Sequence, residues 1–180
     1  GLAGAVADLT LADWRRVIDV NVWGVIHGIH AVYPHLIRQG GGALVNVASG
    51  AALAPRPGMT AYAATKAAVV ALSTSLRAEA ALHGVQVNAI CPGFIATNIM
   101  TSTTFRNVDG EGLMGRVPLK PITADDCARI ALRGVEADRP IIPVSRMVSV
   151  DWGLFRLSPR LSTWVSGWRA KQFAAHRTGD

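Results

Sequence analysis

Residues 43–66 read ALVNVASGAALAPRPGMTAYAATK. The first seven, 43–49, form a short β-rich run that stops at Ser49-Gly50. The segment 54–58, APRPG, carries two prolines and a glycine and excludes regular structure. A helix is expected from Thr60 to about His83, ended by Gly84. A second strand comes next over Val85–Ile90 and is stopped by Pro92-Gly93. Thr123, with Asp126 three residues later, starts a further helix running to about Glu136, and Ile141–Val144 reads as a last short strand. Strands alternating with helices are the mark of βαβ units, whose strands run parallel. The expected fold is an open α/β structure, a doubly wound parallel sheet with helices on both faces.

Upstream, Thr10 and Asp13 read as an N-cap and a first-turn acid of a helix extending to about Gln39. Pro34 is expected to kink or end it, and Gly40-Gly41-Gly42 to terminate it. Its apolar residues, from Val17 through Trp23 to Ile29, go nearly all the way round. Such a helix is expected to be covered on two sides, one by the sheet and the other by a further element or subunit. Residues 98–117 are polar and aperiodic and read as a mobile loop. The division expected is a domain over 1–145 and a basic, Trp-containing helical extension of it over 146–180. Ser158-Pro159 opens a helix there, with Leu161, Trp164, Val165 and Trp168 on one face. That face suits docking on the domain or a partner subunit, or a peripheral contact with an anionic membrane surface.

Half of the 180 residues are hydrophobic and 17% charged, as in a folded domain and not a disordered chain. No run of 18 apolar residues is present, so no membrane span is expected. The net charge of +6 would suggest nucleic acid if it were spread over the domain. From Arg139 onward there are seven basic residues and two acidic ones, so five of the six charges belong to the tail, and nucleic acid is not an expected partner. Cys91 and Cys127 are isolated and read as small buried residues of a reducing, cytoplasmic compartment. His27, His30 and His35 lack an accompanying carboxylate cluster, so no metal site is assigned.

Ligands of parallel α/β sheets bind beyond the carboxyl ends of the strands. Ser49 and Pro92-Gly93 end two strands and so share that edge. Tyr62 and Lys66, one of two tyrosines and one of three lysines, are four apart and share a helix face. A free phenol has a pKa near 10. A neighbouring ammonium would lower it and let Tyr62 exchange a proton with a carbonyl or alcohol oxygen. Ser49 could hold the same oxygen. The chemistry suited to this set is carbonyl–alcohol interconversion, with hydride supplied by a nicotinamide.

These motifs resemble those of the short-chain dehydrogenase/reductase family: Asp19-Val20-Asn21-Val22-Trp23-Gly24, Leu44-Val45-Asn46-Val47-Ala48-Ser49, Tyr62-Ala63-Ala64-Thr65-Lys66 and Val87-Asn88-Ala89-Ile90-Cys91-Pro92-Gly93 with Thr97. The resemblance covers about residues 1–145 and implies a Rossmann-like fold and NAD or NADP as cofactor. It implies that Tyr62 is the acid/base, that Lys66 tunes it and binds ribose, and that Ser49 orients the substrate carbonyl. Asn21 would hold a water linking Lys66 to solvent. Pro92, Gly93, Ile95 and Thr97 would lie along the nicotinamide. The two long helices would pair with those of another subunit in a homodimer or homotetramer.

The family's opening strand and glycine-rich pyrophosphate turn have no counterpart here. Gly40-Gly41-Gly42 precedes a strand instead of coming after one. The chain therefore resembles the C-terminal two-thirds of such a reductase, an incomplete sheet expected to hold cofactor poorly. Apolar residues of the tail and Met100, Phe105 and Met114 lean toward a lipophilic substrate. The competing reading is a non-catalytic, oligomer-forming or regulatory remnant that keeps the site residues. A basic membrane or nucleic-acid binder is the third. No G-x-S-x-G elbow surrounds Ser49, which excludes a hydrolase.

Overall fold

The computed structural model describes residues 1–99, 101–115 and 121–178. Strand β1 (Leu2–Gly4) leads to helix α1 (Leu11–Ile18), a five-residue π turn (Asp19–Trp23) and helix α2 (Gly24–Gln39). Strand β2 (Gly42–Val47), helix α3 (Thr60–Ala81) and strand β3 (Val85–Cys91) come next. Then come β4 (Thr104–Arg106), α4 (Gly110–Gly115), α5 (Ala124–Glu136), β5 (Ile141–Pro143), α6 (Arg146–Leu157) and α7 (Pro159–Ala174).

All the strand pairs are parallel, as expected, but they form two small sheets: β2-β3-β5 and β1-β4. Helix α3 is the crossover between β2 and β3. Val69 on α3 and Val87 and Ala89 on β3 are wholly buried, each valine contributing about 1.5–3 kcal/mol. Among the described residues β2 pairs only with β3, and its Val45 and Val47 stand exposed.

The Thr10 cap is a complete capping box: its hydroxyl accepts from the Asp13 amide while the Asp13 carboxylate accepts from the Thr10 amide. The helix expected over residues 10–39 does run that far, but the π turn interrupts its regular ladder. Pro34 does not end it. Gly40 does, in the left-handed conformation (φ 79°) that disfavours other residues. No residue of α2 is fully buried, and Val20, Trp23 and Val32 stand exposed. The second cover that the pattern calls for, a further element or a subunit, is not supplied by the described residues of this chain.

Two further expectations are corrected. Residues 98–117 are not simply a loop. They contain β4, which exists by pairing with β1 (Leu2 with Thr104 through Gly4 with Arg106), and α4. Met100 and the side chain of Met114 lie outside the described part. The tail holds two helices and not one, since Ser145 caps α6 by accepting from the Val148 amide. Val148 packs with Ala48, Leu53, Val69 and Cys91, so the tail shares the main core. Helix α7 docks through Ser162, Ser166 and Phe173, while Leu161, Trp164 and Trp168 face outward.

Candidate active site

The ends of β2 and β3 are tied edge to edge. The Ala48 amide donates to the Ile90 carbonyl at 2.8 Å, and the Gly50 amide donates to the Pro92 carbonyl at 2.7 Å. Ser49 is extended, and its hydroxyl accepts from the Ala51 amide at 3.1 Å, capping a short 3-10 turn over Gly50–Ala52. Sheet polarity thus sets Ser49 beside Pro92-Gly93. A side chain at Gly50 would run into Val148 of α6, so the close approach requires glycine.

Tyr62 enters from the first turn of α3, 7% exposed and packed with Leu2, Val17 and Ala61. Ser49, Tyr62, Pro92, Gly93 and Ile95 line one cavity of about 160 Å³, roughly the volume that accepts a benzene-sized group. Phe94, Phe105, Met147 and Val148 make most of its remaining wall apolar. Thr97 is not among its walls. It is exposed, its hydroxyl accepting from the Ile99 amide at 3.4 Å.

Burial pushes the Tyr62 phenol up from its ordinary value, and the adjacent Ser49 hydroxyl acts in the opposite direction. This reverses the direction expected from Lys66. The Lys66 ammonium donates to the Val47 carbonyl at 2.9 Å and sits 5.9 Å from the Tyr62 ring centroid. Burial pushes its own pKa down. The Cys91 thiol, wholly buried behind the site, is pushed up to about 12 by burial and stays protonated at neutral pH.

Asn21 lies in the π turn, where such turns often mark functional positions. Its amide donates to the Thr65 hydroxyl at 3.1 Å, which donates to the Tyr62 carbonyl at 2.7 Å. Asn21 therefore reaches Tyr62 through Thr65. Thr65 was not among the residues singled out from sequence, although it stands inside the Tyr-Ala-Ala-Thr-Lys stretch. Arg56 was also missed. It lines the cavity from the loop before α3 and pairs with Asp151 of α6 at 2.6 Å.

The cavity lies at the carboxyl edge of parallel strands and has Tyr62 and the Pro92–Ile95 segment as walls. Among the described residues no glycine-rich turn links a strand to the start of a helix, so a pyrophosphate cradle is not seen. The described residues also contain no group of three metal ligands and no helix long and apolar enough to cross a membrane.

The profile of the family described as short chain dehydrogenase matches residues 1–107. A probable oxidoreductase, EphD, of Mycobacterium bovis is 36% identical over 170 residues, covering 89% of this chain and 29% of that protein. A short-chain dehydrogenase/reductase of Burkholderia phymatum, solved with NAD, is 26% identical with a TM-score of 0.78, over 89% of this chain and 63% of its own. A short-chain dehydrogenase of Sphingobium yanoikuyae, solved with NADPH, is 26% identical with a TM-score of 0.73, over 89% of this chain and 59% of its own. The chain spans under two-thirds of the length of each.

Proposed function

The chain belongs to the short-chain dehydrogenase family of oxidoreductases, and we propose that it interconverts a carbonyl and a secondary alcohol with NAD or NADP. The observation that carries this is the meeting of Ser49, Tyr62 and Pro92-Gly93 around one apolar cavity. The NAD and NADPH of the two solved relatives support the cofactor class. Tyr62, Lys66, Pro92, Gly93, Ile95 and, at the exposed end, Thr97 would hold the nicotinamide half. That group, when bound, supplies or accepts the hydride.

The chain's own residues handle the proton. Ser49 donates a hydrogen bond to the substrate oxygen, and Tyr62 gives its phenolic proton to the same atom or takes it back. A phenol pushed up by burial is protonated at neutral pH, the form needed to reduce a carbonyl. Lys66 adds a cation beside the ring, and Asn21, through Thr65, fixes the turn that carries Tyr62. The apolar walls, Phe105 among them, suit a lipophilic substrate.

The test is NADH and NADPH consumption over a panel of ketones and aldehydes at millimolar cofactor. Tyr62→Phe is expected to lower the rate by about 100-fold or more. A mutant that matched its parent would sink this mechanism. A parent inactive with both cofactors would favour the non-catalytic, oligomer-forming reading.

A homodimer or homotetramer through the long helices accounts for the uncovered Val20, Trp23 and Val32. Sedimentation should give a mass at least twice 19.0 kDa. The outward Leu161, Trp164 and Trp168, flanked by Arg160 and Lys171, suit a peripheral contact with an anionic membrane surface.

A further inference from the structure

Asp151 of α6 is buried between two arginines. Its Oδ2 accepts from Arg56 at 2.6 Å and its Oδ1 from Arg169 of α7 at 3.0 Å. The three side chains are only 11–30% exposed. One carboxylate thus faces two guanidinium groups, and one positive charge is left over in a largely desolvated place. Taking a charge out of water is costly unless a counter-charge is at hand.

Arg56 is the member of this trio that reaches the active-site cavity. Among the described residues it is the one charged side chain in the cavity wall; the other walls are apolar groups, backbone and the hydroxyls of Ser49, Tyr62 and Thr103. Only one of its guanidinium nitrogens donates to Asp151, and no other hydrogen bond from that guanidinium is formed among the described residues. Its remaining N–H groups have no protein acceptor there. Arg56 lines an apolar cavity and its guanidinium has donors to spare, and such a group matches a carboxylate in shape and charge. The excess is a single charge, which a monoanion balances and a phosphate dianion would overshoot.

We propose that Arg56 docks a carboxylate on the substrate, so that this site takes oxo acids and the corresponding hydroxy acids with an apolar spacer between the carboxylate and the reacting carbon. This rests on the carbonyl–alcohol reading of the same cavity. Tyr62 and Ser49 select the reacting oxygen, the apolar walls select the spacer, and Arg56 selects the far end. The loop carrying Arg56 is itself held by the tail: the Ser166 hydroxyl donates to the Pro55 carbonyl at 3.4 Å, and Phe173 covers Gly58. The C-terminal helices thereby set where the carboxylate must lie.

The test is titration calorimetry of the chain with a short-chain oxo acid, of a size the cavity can hold, and its methyl ester, which needs no turnover. The acid is expected to bind about tenfold more tightly than the ester. Arg56→Gln should abolish that preference and Arg56→Lys should keep part of it. Arg169→Gln removes the excess charge and should weaken the preference with Arg56 still in place. Asp151→Asn frees Arg56 and should strengthen it, a change of sign that a loosened fold would not produce. Circular dichroism checks folding of each variant. Equal binding of acid and ester by the parent, or an unchanged preference in Arg56→Gln, overturns the proposal. If the parent prefers the acid but consumes no NADH or NADPH, the docking role stands and the hydride-transfer reading falls. An active parent that binds acid and ester alike sinks the docking role alone.

Discussion

Ser49 and Arg56 stand on the two arms of one loop and are held in different ways. Ser49 is fixed by its neighbours: the Ala51 amide two residues on, and the adjoining strand end through Gly50 and Pro92. Arg56 is fixed from far along the chain, by Asp151, 95 residues away, while Pro55 takes the Ser166 hydroxyl from 111 residues away. The arm proposed for proton transfer is therefore built into the strand and the start of α3. The arm proposed to meet the substrate borrows its position from the tail. Chemistry and selectivity can be disturbed separately in such a molecule.

The largest way to break this division is at Gly58. It has φ 75°, and a Cβ there would land inside the Phe173 ring. Gly58→Val should cost about 3 kcal/mol or more in urea unfolding, from backbone strain and overpacking together. Adding Phe173→Ala should relieve the overpacking part, so the double mutant is less damaged than the sum of the two. Additive losses would show that the tail does not press on this loop.

A second measurement addresses the other arm. Because burial raises the Tyr62 pKa, alcohol oxidation, which needs the phenolate, should climb with pH and show no plateau below about 10. Carbonyl reduction, which needs the phenol, should stay level over the same range. A plateau in oxidation near neutrality would mean that Lys66 overrides burial once the site is loaded.

A smaller effect comes from β4, whose Phe105 lines the cavity. Asp13 accepts from Arg106 of β4 at 2.7 Å, and the guanidinium with the Thr10 cap holds its carboxyl well below the usual carboxylate range. The folded state then binds this proton less readily than the unfolded one. The stabilisation is present above the unfolded value of about 4 and is lost as pH falls below it. The urea midpoint should drop between pH 5 and pH 3 (roughly either side of that value), and Arg106→Gln should flatten the drop. The smallest effect concerns the outer face of the tail. Salt-sensitive binding to anionic vesicles, read by tryptophan fluorescence, should weaken in Trp164→Ser/Trp168→Ser while the cavity residues are untouched.

The same division between near and distant partners separates the legible parts of the sequence from the rest. β2, β3, α3 and α5 announced themselves through β-rich runs, caps and glycine or proline stops, all local signals. Ser49, Tyr62, Pro92 and Gly93 were legible because sheet polarity and helix spacing bring them to one edge. β4 was not, since three residues become a strand only against β1. Nor were Arg56 and Thr65, whose roles depend on partners that no spacing reveals. The raised pKa of Tyr62 depends on packing by Leu2 and Val17, which the four-residue spacing to Lys66 does not disclose.

The π turn at Asp19–Trp23 makes Asn21 a matter of counting. One residue beyond the regular ladder is accommodated in that turn, and each helical residue turns the chain by about 100°. Deleting any one of the five would let the regular helix close, leaving α2 nearly in phase with α1 but moving the residues of the turn itself to new faces. The link from Asn21 to Thr65 could then be lost with every side chain at the site still encoded, so its upkeep depends on the length of that turn as much as on its letters.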